Sequence, residues 1–269
     1  MKNLLIPLLS AIAFAACAQE TAAPPQVEIL YQDFQSPTAI VSNEHAVYVS
    51  DWSADHIVRI AADGSRRILP VKIAAPAGLA LAKDGTLYAA SYSGDYILRI
   101  EADGRSERIA EGLATPTGIA FARSGELLIA NQAAGEIVAL NIETGKRRIA
   151  ASGLSLPVGV TEAADGSLVA SQYGGRVTRI TTDGQPHEIG RSFTRPGVGI
   201  INDGTQAVLV ADNGAGLVRR VSLDGKESRP VTPKLQGSLV ALGRGLHGET
   251  LAGAWGSGTI YRLRQTESR

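Results

Sequence analysis

Apolar and polar residues alternate in short runs along this chain. "GLALA" (78–82) is apolar and carries a glycine, "TLYAAS" (86–91) and "YILRI" (96–100) alternate, and "SERIA" (106–110) is half polar. A two-residue period over four to six residues predicts strands, and no stretch shows a helical period. The strands come in a repeating frame. Aligned on its final Arg-Ile, "SDWSADHIVRI" (50–60) matches "ASYSGDYILRI" (90–100), "ANQAAGEIVAL" (130–140), "ASQYGGRVTRI" (170–180), "ADNGAGLVRRV" (211–221) and "GAWGSGTIYRL" (253–263). The steps are 40, 40, 40, 41 and 42 residues, and Pro37, Pro76, Pro116, Pro157 and Pro196 recur in a second column. Self-similarity at this period marks a repeat architecture.

Two turn signals punctuate each unit. Asp84-Gly85, Ser124-Gly125, Asp165-Gly166 and Asp203-Gly204 separate the first strand from the second. Asp63-Gly64, Asp103-Gly104, Thr144-Gly145, Asp183-Gly184 and Asp224-Gly225 separate the third from the fourth. Such pairs suit tight hairpins, because the turn needs a positive φ that Gly, Asn and Asp tolerate. Four antiparallel strands per unit and six units predict an all-β, six-bladed β-propeller over residues 27–264. Gly78, Gly118 and Gly159 then fall on innermost strands, where blades converge. The sixth unit lacks a fourth strand, and "QVEILYQDF" (26–34) is a fourth strand without a blade. It is expected to complete the last blade and close the ring, which removes an exposed sheet edge.

Composition adds exclusions. With 26 basic and 26 acidic residues the formal charge is zero, and no basic block provides an electrostatic footprint for nucleic acid. Lys2 followed by the apolar run Leu4–Ala16 reads as a secretory signal over residues 1–18, too short to span a bilayer. Two endings fit it. "ACA" (16–18) suits ordinary signal cleavage after Ala18, whereas "FAAC" (14–17) resembles a bacterial lipobox that would lipidate Cys17, the single cysteine. A tether (19–26) and a short tail (265–269) complete the layout. The expected location is the periplasm, with the outer membrane as the anchor if Cys17 is lipidated.

Topology sorts the loops into two faces. The Asp-Gly turns cover one. The turns between second and third strands share the other with the Pro-containing links, and any ligand site belongs there, at the channel mouth. One column on this face reads Asp51, Ser91, Asn131, Ser171, Asp212 and Ala254, small polar residues suited to bonding loop backbone. The next reads Trp52, Tyr92, Gln132, Gln172, Asn213 and Trp255. Trp255, Trp52 and Tyr92 lie on consecutive blades of a closed ring, with amides opposite them and Tyr173 one residue further along. This predicts an aromatic crescent facing an amide crescent, a binding site for a small polar or planar ligand. Arg59, Arg99, Arg179, Arg220 and Arg262 recur on third strands and read as long stems packed between blades with solvated heads. His45, His56, His187 and His247 occupy four unrelated frame positions and build no cluster.

The pattern "P-x-G-[IL]-A … DG-x-L-[YLV]-[VIA]-A-[DNS] … [IV]-x-R-[IV] … DG" resembles the NHL-repeat propellers. It also resembles the six-bladed superfamily of gluconolactonases, senescence marker protein and luciferin-regenerating enzyme, and the streptogramin B lyases. The resemblance covers nearly the whole mature chain and implies the propeller fold. In the lactonases it implies a divalent metal at the channel mouth, held by a first-blade Glu and by Asn or Asp near inner-strand starts. Here the matching positions are Thr38, Ala77, Thr117 and Val158, with Val198 and Ser238 less securely aligned, and none is a carboxylate or amide. An alternative calcium or magnesium site from Asp51, Asn131 and Asp212, on alternate blades, would be a new arrangement. Two functions follow as expectations. One is an exported module binding a small ligand or a periplasmic protein. The other is a metal-dependent lactone or ester hydrolase with altered ligands.

Overall fold

A computed structural model of the chain describes residues 26–190 and 193–264. Residues 1–25, which hold Cys17, the expected signal and all of the expected tether but Gln26, and the tail from 265 lie outside the described residues. Six four-stranded antiparallel sheets form a ring. Blade 1 runs Pro37–Ser42, Ala46–Asp51, His56–Ala61 and Arg66–Ile68 from the axis outward. Blade 6 holds Ser238–Arg244, Thr250–Trp255 and Thr259–Arg264, and its outer strand is Gln26–Tyr31. That amino-terminal strand pairs antiparallel with Thr259–Arg264, Gln26 opposite Arg264, so the ring closes as the repeat frame predicts. The only helical pieces among the described residues are two short 3-10 turns, Trp52–Ala54 and Gln132–Ala134.

The core is six layers, one at each blade interface, rather than one central mass. A single frame position supplies much of it. Ile57, Ile97, Ile137, Val177, Val218 and Ile260 are each the second residue of a third strand and are all essentially fully buried. Each contributes roughly 1.5–3 kcal/mol. Around the axis, inner strands meet backbone to backbone. A Cβ on Gly118 would lie 2.6 Å from the Val158 carbonyl oxygen and 2.7 Å from Gly159 Cα, a space only glycine fits.

The third-strand arginines depart from expectation. Four of the five heads are ion-paired rather than simply solvated, and Arg59 has no ion pair among the described residues. Arg99 meets Glu101 and Glu107, Arg179 meets Asp165, Arg220 meets Asp203 and Glu227, and Arg262 meets Glu28 and Glu249. These acids sit in or beside the tight turns, or on an outer strand. The arginine column therefore ties blade edges to the tight-turn face.

Candidate functional site

The mouth opposite the tight turns is built in two tiers. The lower tier holds the loops in place. The Asp51 carboxylate is 2 % exposed and accepts hydrogen bonds from the Gln35 and Ser36 backbone N–H groups at 2.8 and 2.6 Å. Asn131 Oδ1 accepts from Ala114 N at 2.7 Å, and the Asp212 carboxylate accepts from Thr194 N and Arg195 N at 3.0–3.3 Å. In each case the acceptor side chain pins the link that leads into its own blade. The three residues suggested for a metal are engaged elsewhere. The oxygens of Asp51, Asn131 and Asp212 are directed at backbone amides, not at a shared centre. Among the described residues no three His, Cys, Asp or Glu side chains are grouped to hold a metal ion.

The same tier contains a register error in the sequence alignment. Pro37 pairs with Asp51, Pro116 with Asn131 and Pro196 with Asp212, but Pro157 pairs with Gln172 rather than Ser171. The turn that follows is three residues long in blade 4 (Gln172 pairs with Arg176) and four in blade 1 (Asp51 pairs with His56). An alignment anchored on the third strand therefore slips by one when it crosses that turn. Ser171 does the work of Ser50: their hydroxyls donate to the Gly197 and Ala77 carbonyls of the next blade. Gln172, expected at the ligand surface, is 3 % exposed and replaces the Asp51 carboxylate. Its Oε1 accepts from Ser155 N at 2.6 Å and its Nε2 donates to Thr178 Oγ1 at 2.6 Å. The mouth position on blade 4 belongs to Tyr173, whose N–H donates to Leu156 O as Trp52 N donates to Ser36 O and Tyr92 N to Ala75 O.

A further set of stitches escaped the sequence reading. Asp55 and Asp95 end their turns in the left-handed region, at φ 52° and 56°. Their carboxylates accept from Ala75 N and Thr115 N of the following link at 2.6 and 2.8 Å. The other blades place Gly135, Gly175, Gly216 and Gly258 there, also at positive φ. The signal was the mixture itself, since Asp and Gly share a column where the backbone must turn left-handed.

The upper tier is the surface a ligand would meet. A cavity of about 280 Å³ is walled by Trp52, Tyr92, Gln132, Tyr173, Asn213 and Trp255. The Trp52 ring lies 5.4 Å from Trp255 with a 31° tilt, and 5.8 Å from Tyr92 edge to face. The predicted three-ring arc is thus a contiguous surface. The rings are half-buried, and the arc is anchored at one end by Trp255 Nε1, which donates to Thr38 Oγ1 at 3.2 Å. Across the cavity, among the described residues, the Gln132 and Asn213 side-chain amides make no hydrogen bond, in contrast to Gln172. Amides that close no internal bond are donors and acceptors available to a ligand.

The floor is the waist of the channel: Thr38, Ala77, Thr117, Val158, Val198 and Val240. Val240, not Ser238, is the blade 6 member, because the inner-strand bulge there falls between Leu239 and Ala241. Below the waist a second cavity of about 270 Å³ continues between aliphatic side chains such as Ile40, Leu79, Ile119 and Leu242. The waist does not fit a lactonase-type metal. Its only side-chain oxygens are two hydroxyls, and both are engaged: Thr38 donates to Ser36 O, and Thr117 reaches the Ala130 and Pro157 carbonyls. A hard divalent cation needs about six oxygen ligands, usually with carboxylates among them. None of the four histidines is among the residues that line the mouth cavity.

No family model matches the sequence, and no curated protein matches it. Solved structures share the fold at low identity. A gluconolactonase from Xanthomonas campestris superposes with a TM-score of 0.80 at 15% identity, over 91% of this chain and 96% of that one. Virginiamycin B lyase from Staphylococcus aureus, a catalytically inactive form with quinupristin, gives 0.68 at 20% identity over 90% and 99%. A chain of the nidogen/laminin complex gives 0.70 at 20% identity over 80% and 87%. Two of these are named as enzymes and one comes from a protein–protein complex. The shared six-bladed ring therefore does not select a function, and the mouth must.

Proposed function

We propose that this chain is an exported binding module whose mouth holds a small planar ligand, such as an aromatic ring, a lactone or a sugar, against Trp52. The observation that carries this reading is the Trp255–Trp52–Tyr92 arc facing unengaged Gln132 and Asn213 amides across one cavity with no charged lining residue. Rings supply a flat apolar face, and the amides supply orientation. The charge-then-apolar start of the chain supports a periplasmic location, and Cys17 supports a lipid anchor in the outer membrane. Mass spectrometry of the mature amino terminus distinguishes lipidated Cys17 from cleavage after Ala18.

Trp52 and Trp255 are the only tryptophans, so tryptophan fluorescence, excited selectively over the tyrosines, reports the mouth. Titration with phenols, simple lactones and monosaccharides should give saturable quenching with at least one class. No fluorescence or calorimetric response to any of them would sink the reading. The hydrolase alternative predicts turnover of simple lactones that chelation abolishes. The bonded waist hydroxyls and backbone-directed carboxylates weigh against it.

A further inference from the structure

The rim of the mouth carries a charge that the lining lacks. Arg195 lies on the link entering blade 5, across the ring from the tryptophans, and its guanidinium sits 4.9 Å above the Tyr173 ring. Its Nη1 donates to the Tyr173 hydroxyl at 3.3 Å. Its backbone N–H is held by the buried Asp212 carboxylate at 3.0 Å, which fixes where the side chain starts. Among the described residues no carboxylate lies within ion-pair distance of it, whereas the repeated third-strand arginines Arg99, Arg179, Arg220 and Arg262 all have one. A guanidinium offers five N–H donors, and one bond to a phenol leaves most of them unused. Next to it, Tyr173 and Leu156 are 39 % and 46 % exposed, two of the few large exposed hydrophobic side chains, and their backbones are bonded to each other.

We infer that the ligand of this mouth is a planar molecule bearing one anionic group, a carboxylate or another oxyanion, with its ring against Trp52 and its anion at Arg195. This inference rests on the mouth being a ligand site at all. Two elements motivate it, an aromatic wall on blades 6, 1 and 2 and a cation stacked on Tyr173, which is the blade 4 wall residue of the same cavity of about 280 Å³. An Arg stacked on a tyrosine keeps its fork orientation, so little freedom is lost when it receives an anion. A charge-assisted bond then adds to ring contact.

The test uses a matched pair of probes, 4-hydroxybenzoate and 4-hydroxybenzamide, titrated at pH 7 by calorimetry and tryptophan fluorescence. The wild-type chain should bind the carboxylate about tenfold more tightly, a preference that shrinks with added salt. Arg195→Gln should bring both probes to the amide's affinity, while Arg195→Lys should retain part of the preference. Trp52→Ala should weaken both probes alike. Equal affinity of the two probes for the wild type, or an undiminished preference in Arg195→Gln, overturns the anion assignment and leaves the mouth reading standing. Failure of both probes to bind the wild type overturns the anion assignment, and the mouth reading falls with it only when simple lactones and monosaccharides also give no response.

Discussion

The two faces of this ring are made from the same six repeats and have opposite chemistry. The tight-turn face is charged and self-satisfied. Four of the five repeated arginines meet acids, and turn aspartates such as Asp63, Asp84, Asp103 and Asp165 accept bonds from their own turns and are held below the ordinary carboxylate range. For Asp224, the Ser222 hydroxyl first and the Lys226 backbone and side chain next bring this to about 2. Arg148 holds Glu126 low in the same way, and the Thr86 backbone N–H holds Asp84. The mouth face commits its acids to backbone, including the exposed Asp55 and Asp95, which accept from Ala75 N and Thr115 N. Asp51 and Asp212 are buried against backbone amides, and the cavity wall is left with rings and with the unbonded Gln132 and Asn213 amides. The contrast separates two uses of one scaffold: polar groups that close on each other stabilise the ring, and polar groups left open can recognise something.

Removing Gln26–Tyr31 should damage both faces at once and have the largest effect. Val27, Leu30 and Tyr31 lose their apolar partners and blade 6 gains a bare edge. A loss of at least ~3 kcal/mol is expected from the apolar area alone, with aggregation read by light scattering. An unchanged melting temperature would show that closure is dispensable. Next comes Asp51→Ala, which strands two loop N–H groups. It should cost about 3 kcal/mol by denaturant unfolding and distort the mouth, although Asp51 touches no ligand in this reading.

Trp52→Ala should divide the tiers. Stability should fall by about 1 kcal/mol, the scale of a lost ring contact, while probe affinity drops at least ~tenfold, as for a central aromatic anchor. A stability loss of roughly 3–5 kcal/mol, the cost of a fully buried aromatic, would make Trp52 core and the arc no site. Acid should act on the other face. Carboxylates with lowered pKa contribute stability that is complete above their ordinary range and fades as pH falls through the folded values, here from near 4 down to about 2. Binding of a neutral probe should be flat between pH 5 and 8, since no carboxylate lines the cavity. The smallest effect belongs to Arg148→Met. Arg148 lies on an exposed outer strand, so less than ~1 kcal/mol is expected from its pair with Glu126.

Periodicity made the architecture legible. The blade count, the closing strand, the assignment of loops to faces and the three-ring arc all followed from spacing, because each depends on where a residue falls in the frame. The misreadings arose where chemistry and frame part company. Gln172 carries one more methylene than Asn131, and that reach lets its amide oxygen pin Ser155 N just as a shorter side chain pins a loop elsewhere. A column of letters cannot show that a longer side chain one position over performs the same task. The fifth blade's 41-residue step went the same way: its inner-strand irregularity spans Pro196 to Ile200, and Gly197 and Val198 both reach the waist. Asp55 and Asp95 share their column with four glycines. Only the backbone angle unites them.

The direction of the closing strand has a consequence for how the molecule would be displayed. Gln26 pairs with Arg264 at the tight-turn end of blade 6, and the strand then runs toward the mouth. Whatever precedes Gln26 thus departs from the rim of the charged face. On a chain moored by that segment, the charged face would be turned down toward the surface that holds it. The aromatic basin would look outward, open to whatever diffuses past.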